Sequence, residues 1–398
     1  MPLAESAARP APGRRLPFSV DATDPGTSAR AGALTTPHGV VRTPAFMPVG
    51  TAGTVKGITG WQLEDLAPQM VLANTYHLLL RPGVERLGRL GGLHRLMGWK
   101  GPILTDSGGY QVFSLAGRRK VTDDGVTFQS HLDGSRHELT PESVLDAQMT
   151  FGVDVAMVLD ECLAYPPDPA AVGPSVDRTL RWARRAADHL RRRHEEGHSW
   201  RGGAFGIQQG AVDAGQRRRC TDALVELPFD GFAVGGLAVG EPSDVLHESI
   251  AACAPMLPQD RIRYLMGVGY PEDLVHAVGC GVDLFDCVLP TRSARTGKVF
   301  TSWGDLVIKH ARWADDDRPL DPDCACPTCA RYSRAALRHF FVSREATSVV
   351  LLTVHNLHFY LSLMRSAREA IIAGRYDGFR EGFARARARG ADDGGSEK

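Results

Sequence analysis

Three aspartates that each follow a short apolar run are the first candidates for chemistry. They lie in the runs TDSGGYQ at residues 105–111 (Asp106), LDEC at 159–162 (Asp160) and FDCVLPTR at 285–292 (Asp286). An aspartate among apolar neighbours requires a partner or a function, because burying an unpaired carboxylate is costly. Asp286 could form a salt bridge with Arg292, or it could attack the anomeric carbon of a sugar and form a covalent glycosyl intermediate.

The other two aspartates also have both a structural and a chemical interpretation. Residues 107–109 are Ser-Gly-Gly, which lets backbone amides approach a ligand closely. The same residues would also suit a tight turn in which Asp106 is a capping residue. Asp160 can accept two hydrogen bonds at once, which suits the N1–H and N2 amine of guanine, but it could equally accept from backbone amides of the next loop. Taken singly, these residues leave both interpretations open.

A cysteine cluster near the C-terminus is the strongest candidate for a metal site. Cys324, Cys326 and Cys329 are followed 26 residues later by His355. Three thiolates and one imidazole form a closed tetrahedral site, so we expect one structural Zn²⁺ per subunit rather than free thiols or a catalytic metal. This clustering indicates a metal site in a reducing compartment rather than a disulfide framework. Four other cysteines are interpreted as packed core thiols: Cys220, Cys253, Cys280 and Cys287.

The elements that position these residues are eight short apolar runs separated by amphipathic stretches. The runs begin near Ala45, Met70, Pro102, Val153, Ala204, Gly231, Ile262 and Asp283. Continuous apolar runs of this length are typical of strands buried on both faces of a parallel sheet. Helices are predicted at Pro141–Phe151, Ser175–Arg193, Ala214–Leu227 and Ser243–Ala254, with Thr140 as the N-cap of the first. Eight such strands favour a (β/α)₈ TIM barrel with an inserted zinc-binding subdomain at about residues 300–360.

Six polar or ligand-contacting residues follow the predicted strands. They are Asp106, Asp160, Gln209, Gly236, Met266 and Asp286. The C-terminal ends of barrel strands meet at one face, where barrel enzymes build their active sites. The sequence therefore predicts that these residues share one site.

Composition and domain boundaries limit the remaining possibilities. The 398 residues are 43% hydrophobic and 23% charged with zero net charge, which argues against a disordered chain and against a wholly basic nucleic-acid binder. We expect a disordered tail at residues 1–15, a catalytic domain at 16–385 and a flexible tail at 386–398. We identify no signal peptide and no apolar stretch long enough to span a membrane, which predicts a cytoplasmic protein without membrane contact.

Taken in order, the motifs resemble those of bacterial tRNA-guanine transglycosylases (queuine tRNA-ribosyltransferases) over roughly residues 17–385. Beyond the runs already described, the resemblance is carried by NTYHL at residues 74–78, by F-x-SHLDG at 128–134, by GIQQG at 206–210 and by GGLAVGE at 235–241. It implies exchange of guanine at wobble position 34 of tRNAs with a GUN anticodon for 7-aminomethyl-7-deazaguanine (preQ1). Asp286 would be the nucleophile that forms a covalent tRNA intermediate, and Asp106 the general acid and base.

The resemblance also implies binding roles for further residues. Base-binding residues would be Asp106, Ser107, Gly108, Gly109, Tyr110, Asp160, Cys162, Gln209, Gly236, Leu237 and Met266, with Tyr110 and Met266 stacking on the base. The tRNA would contact Gly267, Val268, Gly269, Tyr270, Pro271, Glu272, Asp273, Thr291, Arg292, Ser293, Ala294 and Arg295. Residues 294–298 are ARTGK where the family more often has GRNG, a departure that concerns individual tRNA contacts and not the chemistry.

Substrate and assembly are also implied by the resemblance. Cys162 and Val239 match the bacterial type, which uses preQ1 rather than the bulkier queuine, and such enzymes form homodimers with the zinc subdomain near the interface. Two alternatives are a paralogue that inserts a 7-deazaguanine into DNA and a non-catalytic zinc-containing RNA-binding protein. The three pocket aspartates argue against the latter, because carboxylates repel phosphate.

Overall fold

The computed structural model describes residues 15–113 and 119–394, so all but the last residue of the predicted N-terminal tail lies outside the described part. Its strands, in chain order, are β1 (Phe18–Thr23), β2 (Arg30–Thr36), β3 (Gly39–Thr43), β4 (Ala45–Met47), β5 (Val71–Ala73), β6 (Ile103–Thr105), β7 (Arg119–Val121), β8 (Val126–Gln129), β9 (Arg136–Leu139), β10 (Val155–Met157), β11 (Gly203–Gln208), β12 (Gly231–Val234), β13 (Ile262–Leu265), β14 (Leu284–Asp286), β15 (Lys298–Thr301) and β16 (Gly304–Val307).

The helices alternate with the strands over most of the described chain. They are α1 (Gly60–Leu66), α2 (Thr75–Leu80), α3 (Val84–Arg89), α4 (Gly92–Met97), α5 (Gly109–Phe113), α6 (Pro141–Phe151), α7 (Pro169–Glu195), α8 (Ala214–Leu224), α9 (Ser243–Cys253), α10 (Pro271–Gly279), α11 (Leu289–Thr296), α12 (Arg334–Val342), α13 (Ala346–Ile372) and α14 (Tyr376–Gly394). Short 3-10 turns occupy Ala254–Met256 and Ala311–Trp313.

Eight parallel strands form the barrel that the sequence predicted. Their hydrogen-bonded order is β4-β14-β13-β12-β11-β10-β6-β5, which is the order of the chain read around a ring. A parallel bridge between Val49, just after β4, and Leu72 of β5 joins the two ends of this sheet. All eight predicted apolar runs are strands, and most of their residues are fully buried because helices cover the outer face.

Local sequence signals fix several helix boundaries. Helix α6 begins at Pro141, and the Thr140 side chain accepts a hydrogen bond from the Ser143 backbone N–H, as the predicted N-cap requires. Helix α7 is longer than predicted because it starts at Pro169, with Asp168 as its N-cap, and continues through the internal Pro174.

An antiparallel sheet of β1, β2 and β3, which the sequence did not predict, covers the N-terminal end of the barrel. Arg30 of β2 donates to both carboxylate oxygens of Asp283, which precedes β14, at 2.9 and 2.5 Å. His38 lies between β2 and β3, and its backbone N–H donates to Asp154, which precedes β10. These contacts hold the sheet against the end of the barrel opposite the predicted site.

A separate apolar cluster lies between the barrel and the cysteine-rich segment. It combines residues of α11, of the antiparallel β15–β16 hairpin, of α12 and of α13, among them Val299, Leu306, Leu337 and Leu352. Helix α13 connects this cluster to the barrel, because Tyr360 and Met364 farther along the same helix belong to the main core.

Helix α13 corrects the expectation that no apolar stretch is long enough to span a membrane. Residues 346–364 carry no Asp, Glu, Lys or Arg, and the 27-residue helix is long and apolar enough by length and composition alone. However, 61% of its most apolar window is buried inside the protein, as in the core helix of a globular fold.

The end of the chain also differs from the expected flexible tail at residues 386–398. Helix α14 continues through Gly394, and the Arg387 side chain is only 7% exposed. Arg387 donates hydrogen bonds to Glu272, Thr301 and Asp305. Because these residues lie far away in the sequence, the composition of the segment did not indicate that it is held. Residues 395–398 lie outside the described part.

Candidate active site

The six residues predicted to share a site all follow strands of the barrel at its C-terminal end. Asp106 comes directly after β6, Gln209 directly after β11, and Met266 directly after β13. Asp286 is the last residue of β14, and Asp160 and Gly236 follow β10 and β12 within three residues. Because all eight strands are parallel, the structure brings these residues to one mouth of the barrel.

Asp106 lies in a cage of hydrogen-bond donors. Its Oδ2 atom accepts from the Asn74 side-chain amide at 2.5 Å and from the Gln111 side-chain amide at 2.8 Å. Its Oδ1 atom accepts from the backbone N–H groups of Thr75 at 2.8 Å and Gly108 at 3.2 Å. The turn that places Asp106 here is thus the one suggested by the Ser-Gly-Gly run.

Burial nevertheless dominates the electrostatics of this carboxylate. It raises the pKa of Asp106 above its ordinary value, the negative charge of Asp286 raises it further, and the surrounding donors only partly oppose this. The two carboxylates therefore lie close enough to repel one another. Such a carboxyl group can hold a proton more readily than an exposed aspartate.

Asp160 forms the adjacent wall of the pocket. Its Oδ2 atom accepts from the Gln209 side-chain amide at 2.6 Å, and its Oδ1 atom accepts from the Ser107 hydroxyl at 3.4 Å. Burial, with a smaller contribution from Asp106, raises the pKa of Asp160 to about 6. The carboxylate is therefore ionised at neutral pH and can accept hydrogen bonds from a bound base.

Two glycines allow the Gln209 amide to lie against the next strand end. A Cβ atom added to Gly236 would lie 2.4 Å from Gln209 Oε1, and one added to Gly235 would lie 2.7 Å from Gln209 Nε2. Gly236 also has a φ of +66°, a conformation that other residues rarely adopt. The close approach exposes backbone groups of this strand end to the pocket.

Asp286 is held by one side chain and one backbone amide. The Tyr264 hydroxyl donates to Oδ1 at 2.6 Å, and the Gly267 backbone N–H donates to the same atom at 2.9 Å. Within the described residues, both hydrogen bonds of the Asp286 carboxylate go to Oδ1 and none to Oδ2, and Arg292 is exposed and forms no ion pair with Asp286. Burial raises the pKa of Asp286, and the two donors partly oppose this. The salt-bridge interpretation of Asp286 is therefore wrong.

The thiols near the pocket are neutral. Burial, followed by the charge of Asp160, raises the pKa of Cys162 to about 12. Burial likewise raises the pKa of Cys287 to about 11, and Cys287 packs so closely on Gly269 that a Cβ there would lie 2.5 Å from its Sγ. Neither thiol is suited to nucleophilic attack, which for Cys287 agrees with its interpretation as a packed residue.

The rim of the pocket carries the two residues expected to stack on a base. Tyr110, the second residue of α5, is 55% exposed, and Met266 is half-buried. Leu237 is buried, and Val239 donates its backbone N–H to Glu241 at 2.9 Å. An exposed ring at the mouth of a polar pocket is suited to stacking on a flat ligand.

The four predicted metal ligands lie together at the junction of α13 with the β15–β16 hairpin. His355 Nδ1 lies 3.6, 3.6 and 3.2 Å from the Sγ atoms of Cys324, Cys326 and Cys329. For Zn–S near 2.3 Å and Zn–N near 2.0 Å, tetrahedral geometry requires S···N separations of about 3.5 Å. His355 Nε2 donates to the Phe300 carbonyl at 2.9 Å, which leaves Nδ1 free to bind a cation. The four residues can hold a metal ion.

The two segments expected to contact tRNA flank Asp286. Five of their twelve residues are exposed, namely Gly267, Tyr270, Glu272, Arg292 and Arg295. The other seven are buried, and Asp273 accepts from His247 rather than facing solvent. Contacts with a large ligand are therefore limited to four exposed side chains and the backbone of Gly267.

Comparison with known proteins decides the family. A family model described as Queuine tRNA-ribosyltransferase matches residues 24–389. The chain belongs to this family. Members of the queuine tRNA-ribosyltransferase family that resemble it include those of Syntrophobacter fumaroxidans, 52% identical over 369 residues, and Solibacter usitatus, 52% identical over 363 residues. These alignments cover 92% and 91% of this chain and 97% and 96% of the relatives.

Family membership confirms the resemblance inferred from the motifs, but the sequence did not reveal every residue of the site. Tyr264 was missed because it lies inside the apolar run of β13 and has the pattern of a core residue. Asn74 and Thr75 were noticed only as part of a family motif, without a role. A polar pair directly after the buried β5 strand was the signal that could have identified them.

Proposed function

We propose that this protein is a tRNA-guanine transglycosylase, which exchanges guanine at wobble position 34 of GUN-anticodon tRNAs for preQ1 in queuosine biosynthesis. The observation that carries the proposal is the convergence of Asp106, Asp160 and Asp286 at one mouth of the barrel in a member of this family. A phosphate-binding surface has no use for three neighbouring carboxylates, two of them buried, whereas base exchange at a ribose has a use for all three.

Recognition of the base rests on the ionised Asp160. Guanine and preQ1 both present the N1–H and N2 amine on one edge, and a carboxylate can accept from both. Gln209 and the backbone at Gly236 and Leu237 complete the contacts along the base edge, with Ser107, Gly108, Gly109 and Cys162 lining the pocket. Tyr110 and Met266 enclose the two faces of the base.

Asp286 is the proposed nucleophile. The Oδ1 atom is held by Tyr264 and Gly267, so Oδ2 is the atom that attacks C1′ of the ribose. The Oδ2–C1′ bond forms while the bond from C1′ to N9 of guanine breaks, and guanine leaves with the electron pair. The product is a covalent ester of Asp286 with tRNA.

Asp106 moves the proton that this exchange requires. Its raised pKa favours the protonated carboxyl that donates to the departing guanine. The resulting carboxylate then accepts the N9 proton of preQ1, whose nitrogen attacks C1′ and displaces Asp286. The cycle leaves the acid, the nucleophile and the phosphodiester backbone unchanged.

The finer assignments concern substrate, metal and assembly. We assign preQ1 rather than queuine because Cys162 and Val239 are of the bacterial type. We assign Zn²⁺ to Cys324, Cys326, Cys329 and His355, where it would connect α13 to the cysteine-rich segment as a structural ion. The exposed tRNA contacts are those around Tyr270 and Arg292, and we expect a cytoplasmic homodimer with the zinc region near its interface.

The test is incorporation of labelled guanine into a GUN-anticodon tRNA transcript, beside the same transcript with G34 replaced by A and a duplex DNA of matched length. We expect incorporation that requires G34 and is competed by preQ1. Incorporation into DNA alone would assign the protein to a DNA-modifying branch. Tight tRNA binding without any exchange would favour the non-catalytic RNA-binding alternative.

A further inference from the structure

Arg387 of helix α14 connects two parts of the protein that lie far apart in the sequence. Its guanidinium forms a short ion pair with Glu272 at the start of α10. It also donates to the Thr301 carbonyl at 2.9 Å and to Asp305 Oδ1 at 2.5 Å, both in the β15–β16 hairpin. The Arg387 side chain is only 7% exposed, whereas the Glu272 and Asp305 side chains that accept from it are 47% and 29% exposed.

Asp305 extends this contact to the surface expected to face tRNA. Its second oxygen accepts from the Lys298 ammonium at 2.7 Å. The same ammonium lies 5.3 Å from the centre of the Tyr270 ring, which is 50% exposed. Two acidic groups thus face two basic groups, and the cluster as a whole carries no net charge.

The loop between β13 and α10 is held by hydrogen bonds near the nucleophile, and Arg387 holds the first turn of α10 that follows it. Near the nucleophile, Gly267 donates to Asp286, and the Gly269 carbonyl accepts from Tyr360 at 2.6 Å. Just beyond the loop, in the first turn of α10, the Glu272 side chain accepts from Arg387. Release of this turn would free the adjacent end of the loop, which carries the exposed Tyr270.

We propose that Arg387 is a positioning residue for tRNA: it fixes the first turn of α10, and with it the Tyr270 end of the preceding loop, in the geometry that binds the anticodon stem-loop. This inference rests on the proposed function, because it requires that the loop contacts tRNA. A planar guanidinium can serve three acceptors in fixed directions, whereas a lysine ammonium cannot reproduce this arrangement. Loss of Arg387 also leaves Glu272 unpaired beside the tRNA path, where its charge repels phosphate.

The test compares Arg387→Ala and Arg387→Lys with Arg385→Ala. Arg385 is a matched control because it lies on the same helix and forms an ion pair, with Glu381 at 3.2 Å, but is exposed. We expect Arg387→Ala to raise the KM for tRNA on the order of tenfold while the KM for guanine changes less than twofold. Arg387→Lys should recover only part of the loss, and Arg385→Ala should match the wild type.

Two measurements that do not depend on catalysis test the same inference. Filter binding should give the same loss of tRNA affinity, and hydrogen exchange of the free protein should accelerate at residues 267–273 in both Arg387 variants. A lower melting temperature with unchanged tRNA affinity and unchanged exchange at 267–273 would overturn the inference and leave Arg387 a purely structural residue. If Arg387→Ala does not fold, Arg387→Lys decides by the same readouts. Absence of guanine exchange by the wild type would refute the proposed function instead, while binding and hydrogen exchange would still test Arg387.

Discussion

Replacement of Asp160 by asparagine should stabilise the protein while it destroys activity. The pKa of Asp160 is raised from an ordinary 3.8 to about 6, chiefly by burial. Each pKa unit is worth about 1.4 kcal/mol, so the ionised carboxylate costs the folded state about 3 kcal/mol at neutral pH. Asparagine is isosteric, its oxygen can still accept from Gln209, and its amide can donate to the Ser107 hydroxyl.

The pH dependence of this effect has a definite sign. A carboxyl group whose pKa is higher in the folded state destabilises the fold above that pKa, and the cost disappears as the pH falls towards 3.8. At pH 7.5 the Asp160→Asn variant should therefore melt about 3–4 °C above the wild type, given about 2.1 cal/mol/K of unfolding entropy per residue. At pH 4 the gain should shrink to less than about 1 °C.

Thermal unfolding at both pH values tests this reasoning, with Asp222→Asn as a control because Asp222 is exposed on α8. Guanine exchange by Asp160→Asn should fall at least about 100-fold. The NH₂ group of the asparagine is a donor and cannot accept the hydrogen bonds that the N1–H and N2 amine of the base donate. A melting temperature at or below that of the wild type at pH 7.5, or an equal gain at both pH values, would refute the electrostatic account of Asp160.

Three further outcomes are expected. Tyr264→Phe removes a donor that lowers the pKa of Asp286, so the acidic limb of the pH–rate profile should move to higher pH; an unmoved limb would contradict this. Gly236→Ala should raise the KM for guanine more than about tenfold, because the added methyl group clashes with the Gln209 side-chain amide. Gly98→Ala, with a similar φ of +63° but open space, should cost only the backbone strain of about 1 kcal/mol. Chelation of the metal, or His355→Ala, should lower the melting temperature by several degrees. If either treatment abolished guanine exchange while folding and dimerisation stayed intact, the metal would not be purely structural.

The parts of the fold that the sequence predicted are those in which one short run determines the structure. Strands such as Gly231–Val234 are continuous apolar runs because both faces of a barrel strand are buried. The cysteine cluster was equally clear, since metal geometry restricts ligand type and spacing. Both features can be recognised without knowing what they contact.

The parts that escaped prediction depend on distant partners. Arg387 lies in an Ala- and Arg-rich segment typical of a tail, but its acceptors Glu272 and Asp305 are 115 and 82 residues away. Tyr264 belongs to an apolar strand, and only its hydroxyl contact with Asp286 distinguishes it from a core residue. The local sequence pattern contains no information about such contacts, because they join residues that only the fold brings together.

The most direct test of the central claim is capture of the covalent intermediate. A GUN-anticodon tRNA transcript is incubated with the enzyme without added base, denatured, and analysed for a protein–RNA adduct whose attachment site is mapped by mass spectrometry. We expect an adduct on Asp286 that disappears on addition of guanine or preQ1, and no adduct in a folded Asp286→Asn variant. An adduct in that variant, or attachment at Asp106, would contradict the assignment of the nucleophile.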